Sequence, residues 1–305
     1  MRNFIFQNET SVYFGRGCVR EYLGSLCAPY QRVMLVCARG ELSRSGIGEE
    51  VSAILRGEGK LAAVFSGVSS ALTYRQVLAG ADAARVSEAD MILALGIDAV
   101  IDCGKGISLA ARCAHDVWED YWTHPGVISV DPLPLGVIAA GAEIGSACSG
   151  RAVITNEEKH VRCARDYPRL NPRFALMDPS YPCSVPQVLS SGFGIFAHIM
   201  EIYFSAPQED NVSDDLMEAL MKGIVRDLRS LLRDPQDEAA RSNLMWAATV
   251  SETGIIRLGK QCMDRVQHIA HQLEAFTGCR HGDALAVLCL PCSASMRRWR
   301  TSKQN

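Results

Sequence analysis

The chain has 305 residues, 48% of them hydrophobic and 21% charged, which is enough to bury a large core and build two domains. That composition excludes a disordered or fibrous protein. The formal net charge of −3 gives no basis for a nucleic-acid or anionic-membrane partner, since either needs a basic surface.

The start, Met1-Arg2-Asn3-Phe4-Ile5-Phe6-Gln7, lacks the apolar core and small-residue cleavage site of a secretion signal. Beyond it the first half alternates short β-branched runs with helical stretches. Strands are predicted at Arg32 to Cys37, Leu61 to Phe65, Met91 to Leu95, Val127 to Val130 and Val137 to Ala140. Helices are predicted between them at Gly48 to Arg56 and Tyr74 to Arg85, where apolar residues recur every three or four positions. The alternation predicts a doubly wound, parallel α/β domain over residues 1–180. After Asp178-Pro179, Pro182, Pro186 and several serines make a linker. From 181 to 305 only helical periodicity remains: Val188 to Tyr203, Asp214 to Leu232, Glu238 to Leu258 and Met263 to Phe276. An all-α second domain is expected.

Twelve cysteines are scattered through apolar segments and read as reduced core residues. Cys289 and Cys292 form a Cys-x-x-Cys pair, but no second pair stands at zinc-ribbon spacing. The basic cluster Arg297, Arg298, Arg300 and Lys303 reads as a solvated tail. No run approaches the ~20 apolar residues of a membrane span, and a cytoplasmic protein is expected.

Several segments, in shared order, carry a family likeness: Tyr13-Phe14-Gly15-Arg16-Gly17 with the preceding Asn3 to Phe6, Val100-Ile101-Asp102-Cys103-Gly104-Lys105-Gly106, and Asp116-Val117-Trp118. Ala152 to Glu158, Phe174 to Pro179, His198-Ile199-Met200-Glu201, Met245-Trp246-Ala247-Ala248 and His281-Gly282 continue it. Together they resemble the iron-containing alcohol dehydrogenases, above all their butanol dehydrogenase branch. The resemblance implies a dehydroquinate synthase-like architecture, NAD or NADP, one Fe2+ or Zn2+ ion, and hydride transfer between the nicotinamide and a small primary alcohol or aldehyde. It assigns the metal to His198 and His281, proton relay to His271, and cofactor binding to Arg39, Gly40, Gly96, Asp102 and Gly141. The opening segment is expected to be the first strand.

The same comparison predicts losses at the chemistry. An aspartate expected four residues before His198 is Gly194, which has no ligand atom and costs about 1 kcal/mol against alanine in a helix. The histidine expected four residues before His271 is Gln267, whose neutral carbonyl is a poor donor to a borderline metal. Gly-Gly-Gly-Ser becomes Gly96-Ile97-Asp98-Ala99, placing a carboxylate where a phosphate is expected. Thr-Gly-Ser-Glu becomes Ala140-Gly141-Ala142-Glu143, and Pro-Asn-Pro becomes Ser70-Ala71-Leu72. Weakened metal binding is expected, with a non-catalytic homologue as the alternative reading. The chain is expected to diverge after Leu290-Pro291 and to lack later helices. The apolar face of Ala284 to Leu290 then implies low stability or reliance on oligomerisation, a homodimer among the assemblies open to it.

Overall fold

The computed structural model describes residues 2–38, 40, 46–140, 145–181, 185–207, 211–262 and 264–289. The chain divides into two compact units, Gln7–Cys183 and Met1–Phe6 with Ser184–Asn305.

The first unit is built on a six-stranded sheet, all parallel, ordered β1-β8-β5-β4-β2-β3. Its strands are β1 (Ser11–Phe14), β2 (Val33–Ala38), β3 (Leu61–Val68), β4 (Met91–Gly96), β5 (Leu135–Ala139) and β8 (Phe174–Met177). β4 and β5 are buried along their whole length, and β2 through Cys37. These strands are continuous apolar runs rather than alternating ones, because both of their faces are covered. The helices are α1 (Cys18–Cys27), α2 (Ile47–Gly57), α3 (Tyr74–Val86) and α4 (Asp98–Ala110). Thr73 starts α3 with a reciprocal capping box to Gln76. A two-stranded antiparallel hairpin, β6 (Arg151–Asn156) and β7 (Val161–Asp166), stands apart from the sheet.

The chain runs from β2 outward to β3 and then returns to β4 on the other side of β2. The order therefore reverses between β2 and β4, and in open α/β sheets ligands bind beyond the strand ends at such a switch.

Central helix α4 is buried from Val100 to Ala110. It lies so close to α3 that a Cβ added at Gly106 would stand 2.8 Å from a Val77 methyl. Cys18, Cys27, Cys103 and Cys148 are buried reduced thiols, and burial raises Cys27 to about 12.

Three expectations need correction. Val127–Val130 is not a strand: Val127 is 89% exposed and only Ile128 is buried, so one apolar anchor, not a ladder, explains the run. The opening strand is confined to Ser11–Phe14, and Phe4 to Phe6 form no ladder and are exposed. The helix predicted over Glu238 to Leu258 ends at Glu252, because Gly254 takes φ 87° and a short 3-10 turn follows at Ile255–Arg257. The hairpin and β8 carry alternating or very short patterns that sequence periodicity did not flag.

The second unit is helical: α5 (Val185–Tyr203), α6 (Val212–Arg233), α7 (Glu238–Glu252), α8 (Arg265–Thr277) and α9 (residues 281–289). Asn211 and Asp237 cap α6 and α7 through their side chains. Gly278 ends α8 at φ 70°, so the chain turns at once into α9. The backbones of α5 and α9 meet directly, since a Cβ on Gly282 would lie 1.7 Å from the Ser190 carbonyl oxygen. No described helix is long and apolar enough to cross a membrane.

Candidate functional site

In the helical unit, one cluster of polar and titratable residues lies on α8 and the start of α9. Gln267, His271 and Glu274 recur at four- and three-residue spacing, so they share one helix face. His281, the first residue of α9, lies against that face. Its Nε2 donates to Gln267 Oε1 at 2.8 Å, and its Nδ1 makes a close contact with Glu274 Oε1. Its ring centroid is 5.2 Å from that of His271. Gln267 and His271 are buried, and the Gln267 Nε2 is a buried donor with no hydrogen-bond partner. Among the described residues, one ligand atom each from His271, Glu274 and His281 lies within 4.8 Å of the others.

His198 faces a different set of groups. Its buried Nε2 lies 3.2 Å from Glu252 Oε1 and accepts from Arg257 Nη2 at 3.4 Å. Arg257 is paired in turn with Asp264 at 3.1 Å. Burial works against its charge, but Asp264 and Glu252 hold the guanidinium above even its usual range. Three residues after His198, Glu201 accepts from the first amides of α8, Val266 at 2.8 Å and Gln267 at 3.4 Å. This places a carboxylate on the positive end of that helix. Burial nevertheless raises the Glu201 carboxyl above its ordinary value, against the pull of those two amides.

A metal held by His198 and His281, as the resemblance assigns it, does not fit this geometry. Position 194 offers no donor atom. A Cβ there would meet the Gly282 Cα at an ordinary 3.5 Å, so the space exists and the ligand does not. The Nε2 of His198 is already engaged by Glu252 and Arg257, and the Nε2 of His281 is occupied by Gln267.

In the α/β unit, Gly96 closes β4 at φ 153°, where an added Cβ would strike the Val100 side chain at 2.8 Å. Only glycine fits there. Asp98 then opens α4, and its Oδ1 accepts from the Ser146 amide at 2.9 Å. The strand switch fits a nucleotide at this turn. A phosphate brought within 4 Å of Asp98 would be opposed by as much as about 4 kcal/mol per charge pair at an effective dielectric of 20.

Asp102, expected at the cofactor, lies inside the unit. Its Oδ2 accepts from the Val153 amide at 2.9 Å, and its Oδ1 accepts from the Ser146 hydroxyl. Lys105, fully buried, donates to the carbonyls of Ser146 and Arg151, each at 2.6 Å, with its Nζ 3.9 Å from Asp102. Burial raises the Asp102 carboxyl and Lys105 opposes the rise. Gly40 takes φ 80° just beyond β2. Arg39 and Gly141 lie outside the described residues, as do Glu41, Ala142, Glu143 and Cys292.

Sequence reasoning missed Glu274, Glu252 and Arg257. The three-residue step from His271 was a signal for Glu274; nothing local marked Arg257.

Two family models match the chain in order: iron-containing alcohol dehydrogenase over residues 9–179, and the Fe-containing alcohol dehydrogenase C-terminal family over residues 188–303. This chain belongs to the iron-containing alcohol dehydrogenase family. The second match runs past Leu290-Pro291, where divergence was expected.

Among the family's members, NADH-dependent butanol dehydrogenase A of Clostridium acetobutylicum is 30% identical over 291 residues, covering 94% of this chain and 74% of that protein. An NADPH-dependent aldehyde reductase of Escherichia coli is 26% identical, with 94% and 74% covered. The crystal structure of NADH-dependent butanol dehydrogenase A from Thermotoga maritima superposes with a TM-score of 0.89 at 26% identity, over 94% of this chain and 72% of that one. By family the chain is an alcohol dehydrogenase, and its relatives are NAD(P)-dependent alcohol dehydrogenases and aldehyde reductases.

Proposed function

We propose that this chain interconverts small primary alcohols and aldehydes of the butanol and butanal type, with NAD or NADP as hydride carrier. The supporting observation is the collinear match across both units to enzymes named for that chemistry. When bound, the nicotinamide supplies or takes up the hydride. Aldehyde reduction also needs a proton at the developing alkoxide. We assign that proton to His271, which is buried beside His281, while His281 pairs with Glu274 and is 36% exposed at its side chain. Gly96 and Gly40 are assigned to close approach of the nucleotide backbone. Asp102 is assigned to hold the turn after β4 rather than to touch the cofactor.

The test is oxidation of NADH and of NADPH with butanal, in metal-stripped buffer and with Fe2+ added. Turnover with a high KM for the nucleotide is expected, and Asp98→Ser should lower that KM. A second reading, a non-catalytic homologue, is favoured by the commitment of the His198 and His281 nitrogens to Arg257, Glu252 and Gln267. No nicotinamide oxidation under any of these conditions would assign the chain to it.

A further inference from the structure

We propose that His271, Glu274 and His281 form a binding site for a divalent transition-metal ion of the zinc type, which shares only His281 with the positions the resemblance assigns to the metal. Two imidazoles and one carboxylate with a fourth position open is a donor set that zinc takes. A four-coordinate ion with ligands at 2.0–2.2 Å needs its donor atoms about 3.4 Å apart. The three groups already have ligand atoms within 4.8 Å of one another, so small side-chain rotations close the site. The ion would sit where His281 Nδ1 and the Glu274 carboxylate now meet.

Gln267 explains how His281 is aimed. Its Oε1 holds the Nε2–H of that ring at 2.8 Å, fixing the tautomer that leaves Nδ1 toward Glu274. Metal-bound histidines are oriented in this way by an oxygen acceptor on the other ring nitrogen. The glutamine that fails as a ligand thus serves as a positioning residue. His271 is 4% exposed and the Glu274 side chain 9%, whereas the 36% exposure of the His281 side chain leaves a path for the ion. Held there, zinc takes the His271 lone pair out of proton transfer and acts as a brake on the proposed reaction. The site itself does not rest on that reaction, and its test reads binding rather than turnover.

The experiment titrates the full, tag-free, metal-stripped chain with Zn2+ by calorimetry and with Co2+ by visible absorption, with folding of each variant checked by circular dichroism. One equivalent is expected, with the ligand-field bands of four-coordinate Co2+. Glu274→Gln and His271→Gln should each weaken binding by about tenfold or more, since even an outer-shell partner is worth 10- to 100-fold. His198→Gln should leave it unchanged. Independently of any variant, long-range 1H–15N spectra should show Zn2+ shifting the ring nitrogens of His271 and His281 but not those of His198. Absence of stoichiometric binding would overturn the proposal, as would loss of binding on His198→Gln with Glu274→Gln unaffected.

Discussion

Replacing Lys105 by methionine tests whether the Asp102–Lys105 pair, and not apolar packing alone, holds the turn after β4. Methionine keeps most of the stem volume in a site with no solvent exposure. It removes the charge opposite Asp102 and the buried donor from which the Ser146 and Arg151 carbonyls each accept at 2.6 Å. Breaking a buried pair by removing one partner costs about 3–5 kcal/mol. In a unit of this length each kcal/mol moves the midpoint by roughly 2–4 °C, so the variant should melt about 6–20 °C lower. The assay is urea and thermal unfolding at pH 7, followed by circular dichroism. The double variant Asp102→Asn/Lys105→Met should lose less than the two single variants added together, by roughly 1–3 kcal/mol, because neither charge is then left alone. The loss in Lys105→Met should also shrink at lower pH as the orphaned carboxylate protonates. A loss below about 1 kcal/mol, or strict additivity, would refute the reasoning.

Two further predictions concern the helical unit. Gly194→Ala should stabilise the protein by up to about 1 kcal/mol, since the new methyl makes ordinary contacts, 3.5 Å from the Gly282 Cα and 3.9 Å from a Leu285 methyl; Gly282→Ala should cost about 1–3 kcal/mol or more, since its methyl would sit 1.7 Å from the Ser190 carbonyl, and thermal melts separate the two. Glu201 has its pKa raised from 4.5 in the folded state, so its contribution to stability is present below 4.5 and is lost as pH rises through the folded value. Glu201→Gln should therefore gain on the parent in denaturant midpoint between pH 4.5 and 7, and an opposite trend would show that the two α8 amides outweigh desolvation.

Much of this was legible from residues alone. Val33 to Ala38 and Met91 to Gly96 are apolar throughout, and a run without alternation is what a parallel strand covered on both faces requires. The losses at Gly194, Gln267 and Asp98 were also sequence facts, because a missing donor atom or an added charge needs no coordinates. Asp102 read as a cofactor contact, and that it instead pairs with Lys105 inside the unit, with Ser146 and Val153 44 and 51 residues away as its hydrogen-bond partners, was visible only in three dimensions.

Tertiary structure decided what the remaining side chains face. His198 and His281 were expected to share an ion, but their Nε2 atoms meet Arg257 and Gln267, residues brought there by the break after Glu252 and the tight turn at Gly278. Periodicity fixes which residues share a helix face. Which neighbour that face meets depends on loop closures and helix crossings, such as that of α5 and α9 at Gly282, and these are properties of the packed chain and not of any local segment.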